Sequence, residues 1–269
     1  MIKFGICHFS LPVEGPYALK IASEAGFDGV QLDMISNYKN QLALSKDIVQ
    51  KAFLFLGEKY NIEFPSIAVR ELDRFSMVSE DNSIAVDAIN KAIEAAVKMK
   101  IPIVLVPSFE NSDIKSDTDL KQAVKVLKNA CDKALESGII IAAENLLSPM
   151  KIEELFKQTN RPNLKLYFDT QNHYLHKGYK MADLLERLMQ YVCEVHVKDG
   201  KNGNLSGALL GEGDAGFYES IEVLKKHNYS GWIISENYYD LEPLSLQNDN
   251  PVELMKEDLK ILKKAMGIS

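Results

Sequence analysis

The feature that most constrains this chain is its beat: short, almost wholly apolar runs alternate with longer segments of helical period. The runs are Ile2–Cys7, Gly29–Asp33, Ile62–Val69, Ile101–Val106, Ile139–Glu144, Leu164–Asp169, Cys193–Val197 and Trp232–Glu236, near the usual strand length of about 5–6 residues. Most are continuously apolar, as parallel strands covered on both faces or enclosed in a barrel must be. Between them, Leu120, Ala123, Val124, Leu127, Cys131, Ala134 and Leu135 follow the i, i+3, i+4, i+7 stripe of a helix, with Ser116 and Asp119 as a start signal and Gly138 as a stop. Similar stripes run through Ile48, Ala52, Phe53 and Leu56, through Ile89, Ile93, Ala96 and Val97, and through Leu184, Leu185 and Leu188. Val252, Met255, Leu259 and Leu262 follow the last strand as an eighth helix.

Eight βα units within 269 residues predict an α/β chain folded as a single (β/α)8 TIM barrel. A doubly wound open sheet usually has fewer strands and a glycine-rich first turn, and no GxGxxG or P-loop follows any strand here. No linker rich in Pro, Gly or Ser divides the chain, so residues 1–269 are expected to form one domain. A net charge of -7 and a pI near 5.4 offer no long-range attraction to nucleic acid or to an anionic membrane. Cys7, Cys131 and Cys193 lie far apart in apolar runs, which predicts buried reduced thiols rather than a disulfide or zinc ribbon. The start has no apolar leader and no stretch approaches a spanning helix, so a cytoplasmic protein is expected.

In a barrel of this kind the chemistry sits where the strands end. Strand five ends in Ala143-Glu144-Asn145, strand six in Phe168-Asp169-Thr170, strand seven in Val195-His196-Val197-Lys198-Asp199 and strand eight in Ser235-Glu236-Asn237. One acid or one histidine at a strand end is ordinarily a solvated loop residue or a helix cap. Four ligand-type residues on four successive strands are harder to obtain by chance. Ring closure would bring Glu144, Asp169, His196 and Glu236 together, and three carboxylates without a cation would repel one another. One divalent metal removes that conflict; oxygen ligands with one imidazole suit Mn²⁺, Mg²⁺, Co²⁺ or Zn²⁺.

These segments, together with Gly211-Glu212-Gly213-Asp214 and Tyr229-Ser230-Gly231-Trp232, resemble the xylose isomerase-like TIM-barrel superfamily of sugar and sugar-phosphate isomerases and epimerases, related to endonuclease IV and the ketose 3-epimerases. The resemblance runs from the first strand to the last helix. It implies a metal held by Glu144, Asp169, His196 and Glu236, a small-molecule sugar or sugar phosphate as substrate, and Glu144 and Glu236 as the catalytic pair that moves a proton through an enediolate. Substrate contacts are expected from His8, Asn172, His173, Lys198 and Glu212. Two departures stand out: many members carry a histidine three residues after the strand-six aspartate, where this chain has Asn172 and then His173, and the ketose 3-epimerases place an Arg after the metal-binding histidine, where this chain offers Lys198 and Lys201. A dehydratase of an inosose-type keto-polyol and a non-catalytic carbohydrate-binding relative are the alternatives. The trinuclear ligand set of endonuclease IV is missing, since strands three and four end in Ala68-Val69-Arg70 and Pro107-Ser108-Phe109.

Other expectations concern the loops. His8 either meets a sugar hydroxyl or is tied to backbone, Lys198 either points into the site or pairs with Asp199 or a neighbouring acid, and Arg70 is more readily a salt-bridge partner than a phosphate ligand. Asp214 is expected to cap the helix after strand seven, and acidic Glu212 disfavours a phosphate in that loop. Phe9, Phe109, Tyr238 and Tyr239 are candidates for walls of a sugar site, with Tyr238-Tyr239 equally suited to contact between subunits of a homo-oligomer.

Overall fold

The structure, a computed structural model, describes residues 1–268. Its strands are β1 (Ile2–Cys7), β2 (Gly29–Asp33), β3 (Ser66–Ala68), β4 (Ile103–Ser108), β5 (Ile140–Asn145), β6 (Leu164–Asp169), β7 (Val192–Val197) and β8 (Gly231–Ser235). They follow chain order around a closed parallel barrel, with β8 returning to β1 through Ile2↔Gly231 to Ile6↔Ser235. The helices are α1 (Ala18–Ala25), α2 (Asp47–Tyr60), α3 (Ser83–Met99), α4 (Asp117–Leu135), α5 (Pro149–Thr159), α6 (Asn172–Lys177), α7 (Met181–Leu188), α8 (Phe217–Lys226) and α9 (Pro251–Met266). Two helices rather than one fill the step from β6 to β7, so the final helix is α9.

By contact density the chain divides within β2 and within β6. One compact unit takes Met1–Gln31, Phe55–Glu63 and the chain from Phe168 onward; the other takes Leu32–Leu54 and Phe64–Tyr167. In the first, β8 pairs with β1 and β7, and α9 packs against α1 and α8. In the second, β4 pairs with β3 and β5, α3 packs on β3 and β4, and α4 packs on β5 and against α5.

Local sequence explains the elements. Ser116 caps α4 by accepting from the Asp119 amide, while the Asp119 carboxylate accepts from the Ser116 amide; such a box is worth about 1 kcal/mol. Leu120, Ala123, Val124, Leu127, Cys131 and Ala134 of its stripe are buried, but Leu135, the last residue of α4, is 45% exposed. Ile48 and Val97 also lie outside their stripes' buried faces. Strand β3 is far shorter than the apolar run Ile62–Val69: Pro65 has no amide hydrogen for a ladder, and Glu63 makes only an isolated bridge to Gly29. Cys7 and Cys131 are buried thiols as expected, whereas Cys193 is half-buried. Burial pushes the Cys131 thiol up to about 12, which keeps it protonated and unreactive.

Below the strand ends, Gly29 of β2 leaves room for the Trp232 ring of β8, the strand on the other side of β1. A Cβ there would fall 2.7 Å from the Trp232 ring and 2.8 Å from the Glu63 carbonyl oxygen, closer than side-chain carbons pack. Lys3 lies over the same Trp232 ring at 5.3 Å from its centroid. Among the described residues no helix is long and apolar enough to cross a membrane.

Candidate active site

Glu144 and Asp169 lie in the last turns of β5 and β6, His196 in β7, and Glu236 directly after β8, where its amide donates to the Val197 carbonyl at 2.9 Å. All four are buried, and each offers a ligand atom within 4.8 Å of the others. The strand-end pattern read in the sequence therefore corresponds to one cluster in space.

His196 is held from both ring nitrogens. Nδ1 lies 3.1 Å from Glu236 Oε2. Nε2 lies 3.0 Å from Gln31 Oε1 and 3.4 Å from Cys7 Sγ, and the Cys7 thiol donates to the same Gln31 oxygen at 3.4 Å. An amide oxygen can only accept, so Gln31 takes an N–H from Nε2, and Nδ1 faces the cluster, donating to Glu236 when it carries a proton and able to take an ion when it does not.

Lys198 is the second organiser. Only 2% exposed, its Nζ donates to Glu236 Oε2 at 2.8 Å and lies 3.3 Å from Asp169 Oδ2. Its partner is thus not Asp199 but two acids of the cluster. Burial alone would push the Glu236 carboxyl up; the Lys198 ammonium and His196 outweigh it and hold the group far below the usual carboxylate range. Asp169 turns its other oxygen to the backbone amides of Gln171, at 2.8 Å, and Asn172.

The loop after β7 is tied to the same strand end. Asp199 accepts from the amides of Gly200, Gly211, Gly213 and Ala215; burial pushes its carboxyl up while these amides pull it back. Asn237, next to Glu236, accepts from the Asp199 amide and the Ser206 hydroxyl and donates to Asp258 of α9 at 2.6 Å. Asp258 also accepts from the Leu210 amide and the Tyr239 hydroxyl, and burial pushes its carboxyl up to about 7.

A family model described as "xylose isomerase-like TIM barrel" matches residues 19–265. The chain belongs to that family. It is 24% identical over 224 residues to the 2-epi-5-epi-valiolone 7-phosphate 2-epimerase of an Actinoplanes species, a match covering 83% of this chain and 82% of that one. It is 25% identical over 185 residues to inosose dehydratase 1 of Bacillus cereus, covering 61% and 60% of the two chains. Among solved structures, the D-allulose 3-epimerase of a Methylomonas species in complex with D-allulose superposes with a TM-score of 0.77 at 17% identity, over 98% of this chain and 97% of that one; at such identity the likeness is one of fold.

Within this xylose isomerase-like barrel the expected substrate contacts divide. His173 is buried in α6 beside Tyr179, ring centroids 5.9 Å apart, and Asn172 is tied to Asp169 through its amide. His8 is turned to backbone, Nε2 lying 3.2 Å from the Gly15 carbonyl oxygen. Glu212 lies half-exposed in the loop after β7. Arg70 faces Asp73 at 3.8 Å. Phe9 and Tyr238 approach with ring centroids 5.9 Å apart, whereas Tyr239 is fully buried against Ser235 and Asp258, which removes it from both a substrate wall and a subunit contact. Asp214 does not cap α8: Gly216 is the cap residue, and Asp214 instead accepts from the Asn202 amide.

The donor set fits a divalent ion. Ligands at about 2.0–2.2 Å span roughly 4.4 Å across an ion, close to the spread observed, and three carboxylates with one imidazole form a hard set suited to Mn²⁺, Mg²⁺, Co²⁺ or Zn²⁺. A divalent ion held there, together with the Lys198 ammonium, would offset the formal charges of the three carboxylates.

Proposed function

We propose that the chain is a divalent-metal-dependent isomerase or epimerase of a sugar or sugar phosphate, with Glu144, Asp169, His196 and Glu236 as the metal ligands. The observation that carries this reading is the convergence of those four buried side chains from successive strands. Membership of the xylose isomerase-like family and the similarity to a cyclitol-phosphate epimerase support it. When bound, the ion would polarise the substrate's carbonyl oxygen and stabilise the charge that develops there as the neighbouring C–H loses its proton.

The protein's own residues supply the proton transfer. Glu236 enters as a carboxylate, since Lys198 and His196 hold it ionised, and Glu144 supplies the second carboxyl group. In an epimerisation one glutamate takes the proton from one face of the carbon and the other returns a proton to the opposite face; in an aldose–ketose isomerisation a proton moves between adjacent carbons. Lys198 contributes positive charge beside the reacting oxygens, and Gln31 holds the His196 ring in orientation. His173, Asn172 and Glu212 are assigned to substrate contact; His8, turned toward Gly15, is the weakest member of that group.

A second reading, dehydration of a cyclic keto-polyol, is favoured by the similarity to an inosose dehydratase. It shares the first step and then expels the β-hydroxyl. The test is metal analysis of purified protein, followed by incubation with ketoses, ketose phosphates and inososes in heavy water. Deuterium in a product of unchanged composition supports the isomerase or epimerase; an unsaturated or deoxy product supports the dehydratase. Failure to retain or rebind any divalent ion overturns both.

A further inference from the structure

Lys198 is the one ammonium that the described ion pairs place on two acids of the cluster, 2.8 Å from Glu236 and 3.3 Å from Asp169, and all three residues are buried. Burying an ammonium is unfavourable unless carboxylates offset the lost hydration, so this lysine is held where a cation is wanted. It sits two residues after His196, on the same extended segment, which sends both side chains to the same side. The site therefore carries a fixed positive charge of its own on ligands that a metal also needs.

We propose that Lys198 is the resident countercharge of the site and that it competes with the divalent ion for Asp169 and Glu236, setting metal affinity below what the carboxylates would give alone. The inference rests on the metal reading above. In the metal-free protein the ammonium keeps Asp169 and Glu236 from repelling one another. In the loaded protein it must share them, and the repulsion between a divalent cation and a nearby ammonium, in a buried setting of low effective dielectric, weakens ion binding. What the lysine gives in return is a loaded site of zero net charge, able to accept negative charge on a substrate oxygen without leaving the four ligands in excess.

The experiment is calorimetric titration of Mn²⁺ into metal-stripped wild-type protein and its K198M and K198R variants, with the thermal midpoint of each recorded with and without Mn²⁺. Lys198→Met is expected to bind Mn²⁺ at least about tenfold more tightly than wild type, to be less stable without metal, and to show the larger metal-induced rise in thermal midpoint. Lys198→Arg, which keeps the charge, is expected to stay within about threefold of wild type. Should metal-free K198M fail to fold, protein purified with Mn²⁺ and titrated with a chelator reads the same affinity from the loaded side. Unchanged or weaker binding by K198M, as a merely structural lysine would give, overturns the inference while leaving the metal reading intact. A wild-type protein that binds no Mn²⁺ overturns both.

Discussion

Two buried carboxylates, Glu71 and Glu236, both follow strand ends, in different halves of the chain, and they are treated in opposite ways. Glu71, after β3, accepts from the Ser36 amide at 2.7 Å and the Ser36 hydroxyl at 2.8 Å, and Arg74 donates to that hydroxyl from outside. Its partners are neutral, local to two loops, and carry no acid or metal-ligating group. Glu236 is held by an ammonium and an imidazole, each itself engaged with another member of the cluster. A carboxylate tied by neutral donors fixes a loop; one shared among charged and ionisable neighbours has its charge set by them and can exchange them for a ligand. Burial alone does not separate scaffold from site, but the nature of the donors does.

That contrast can be broken most decisively by exchanging function for shape. Glu236→Gln and Glu144→Gln are expected to lower substrate proton exchange in heavy water by about 10³-fold with an unaltered circular dichroism spectrum, whereas Glu71→Gln leaves exchange within a few-fold; equal losses at all three positions would erase the distinction. A smaller effect probes the imidazole's support. Gln31→Leu removes the acceptor at Nε2 and should weaken Mn²⁺ binding by roughly 10–100-fold in a calorimetric titration. On the scaffold side, Glu71→Ala should cost about 2–3 kcal/mol in urea unfolding while Mn²⁺ affinity stays at the wild-type value. A pH-dependent test concerns Asp258, whose folded value near 7 lies above its ordinary 3.8. The folded state then binds the proton more tightly, so this group's contribution to stability is full below pH 3.8 and is lost as the pH rises to 7. Asp258→Asn should flatten the stability slope across that window, by no more than about 1.4 kcal/mol per pH unit; an unchanged slope would remove Asp258 from the titrating groups.

The barrel was legible because enclosed parallel strands must be apolar throughout, and β1, β2 and β6 lie where their runs predict. The third was overread: apolarity extends from Ile62 to Val69, but Pro65 cannot donate to a neighbour and only Ser66–Ala68 pair. The cluster was legible for a different reason, since strand ends converge once the ring closes and Glu144, Asp169, His196 and Glu236 each end a strand. What surrounds it was not. Gln31 meets His196 across 165 residues, and Asp258 meets Leu210 across 48; no local spacing signals such pairs. A polar residue inside an otherwise apolar strand, as Gln31 is in β2, is the one local hint, because such a group is kept only with a partner. Asp214 misled because its neighbour Gly216, at φ 77°, takes the cap position and leaves the acid to an adjacent loop.

The close fit of Gly29 beneath the Trp232 ring has an evolutionary corollary. Strands β2 and β8 flank β1 on either side, and the room a side chain at position 29 would need is taken by the indole and by the Glu63 carbonyl oxygen. Position 29 cannot drift alone: a side chain there demands a smaller one at 232 together with a retreat of the backbone at 63. Descendants of this chain should therefore gain a side chain at 29 only where 232 has become smaller, a covariation set by space rather than by chemistry.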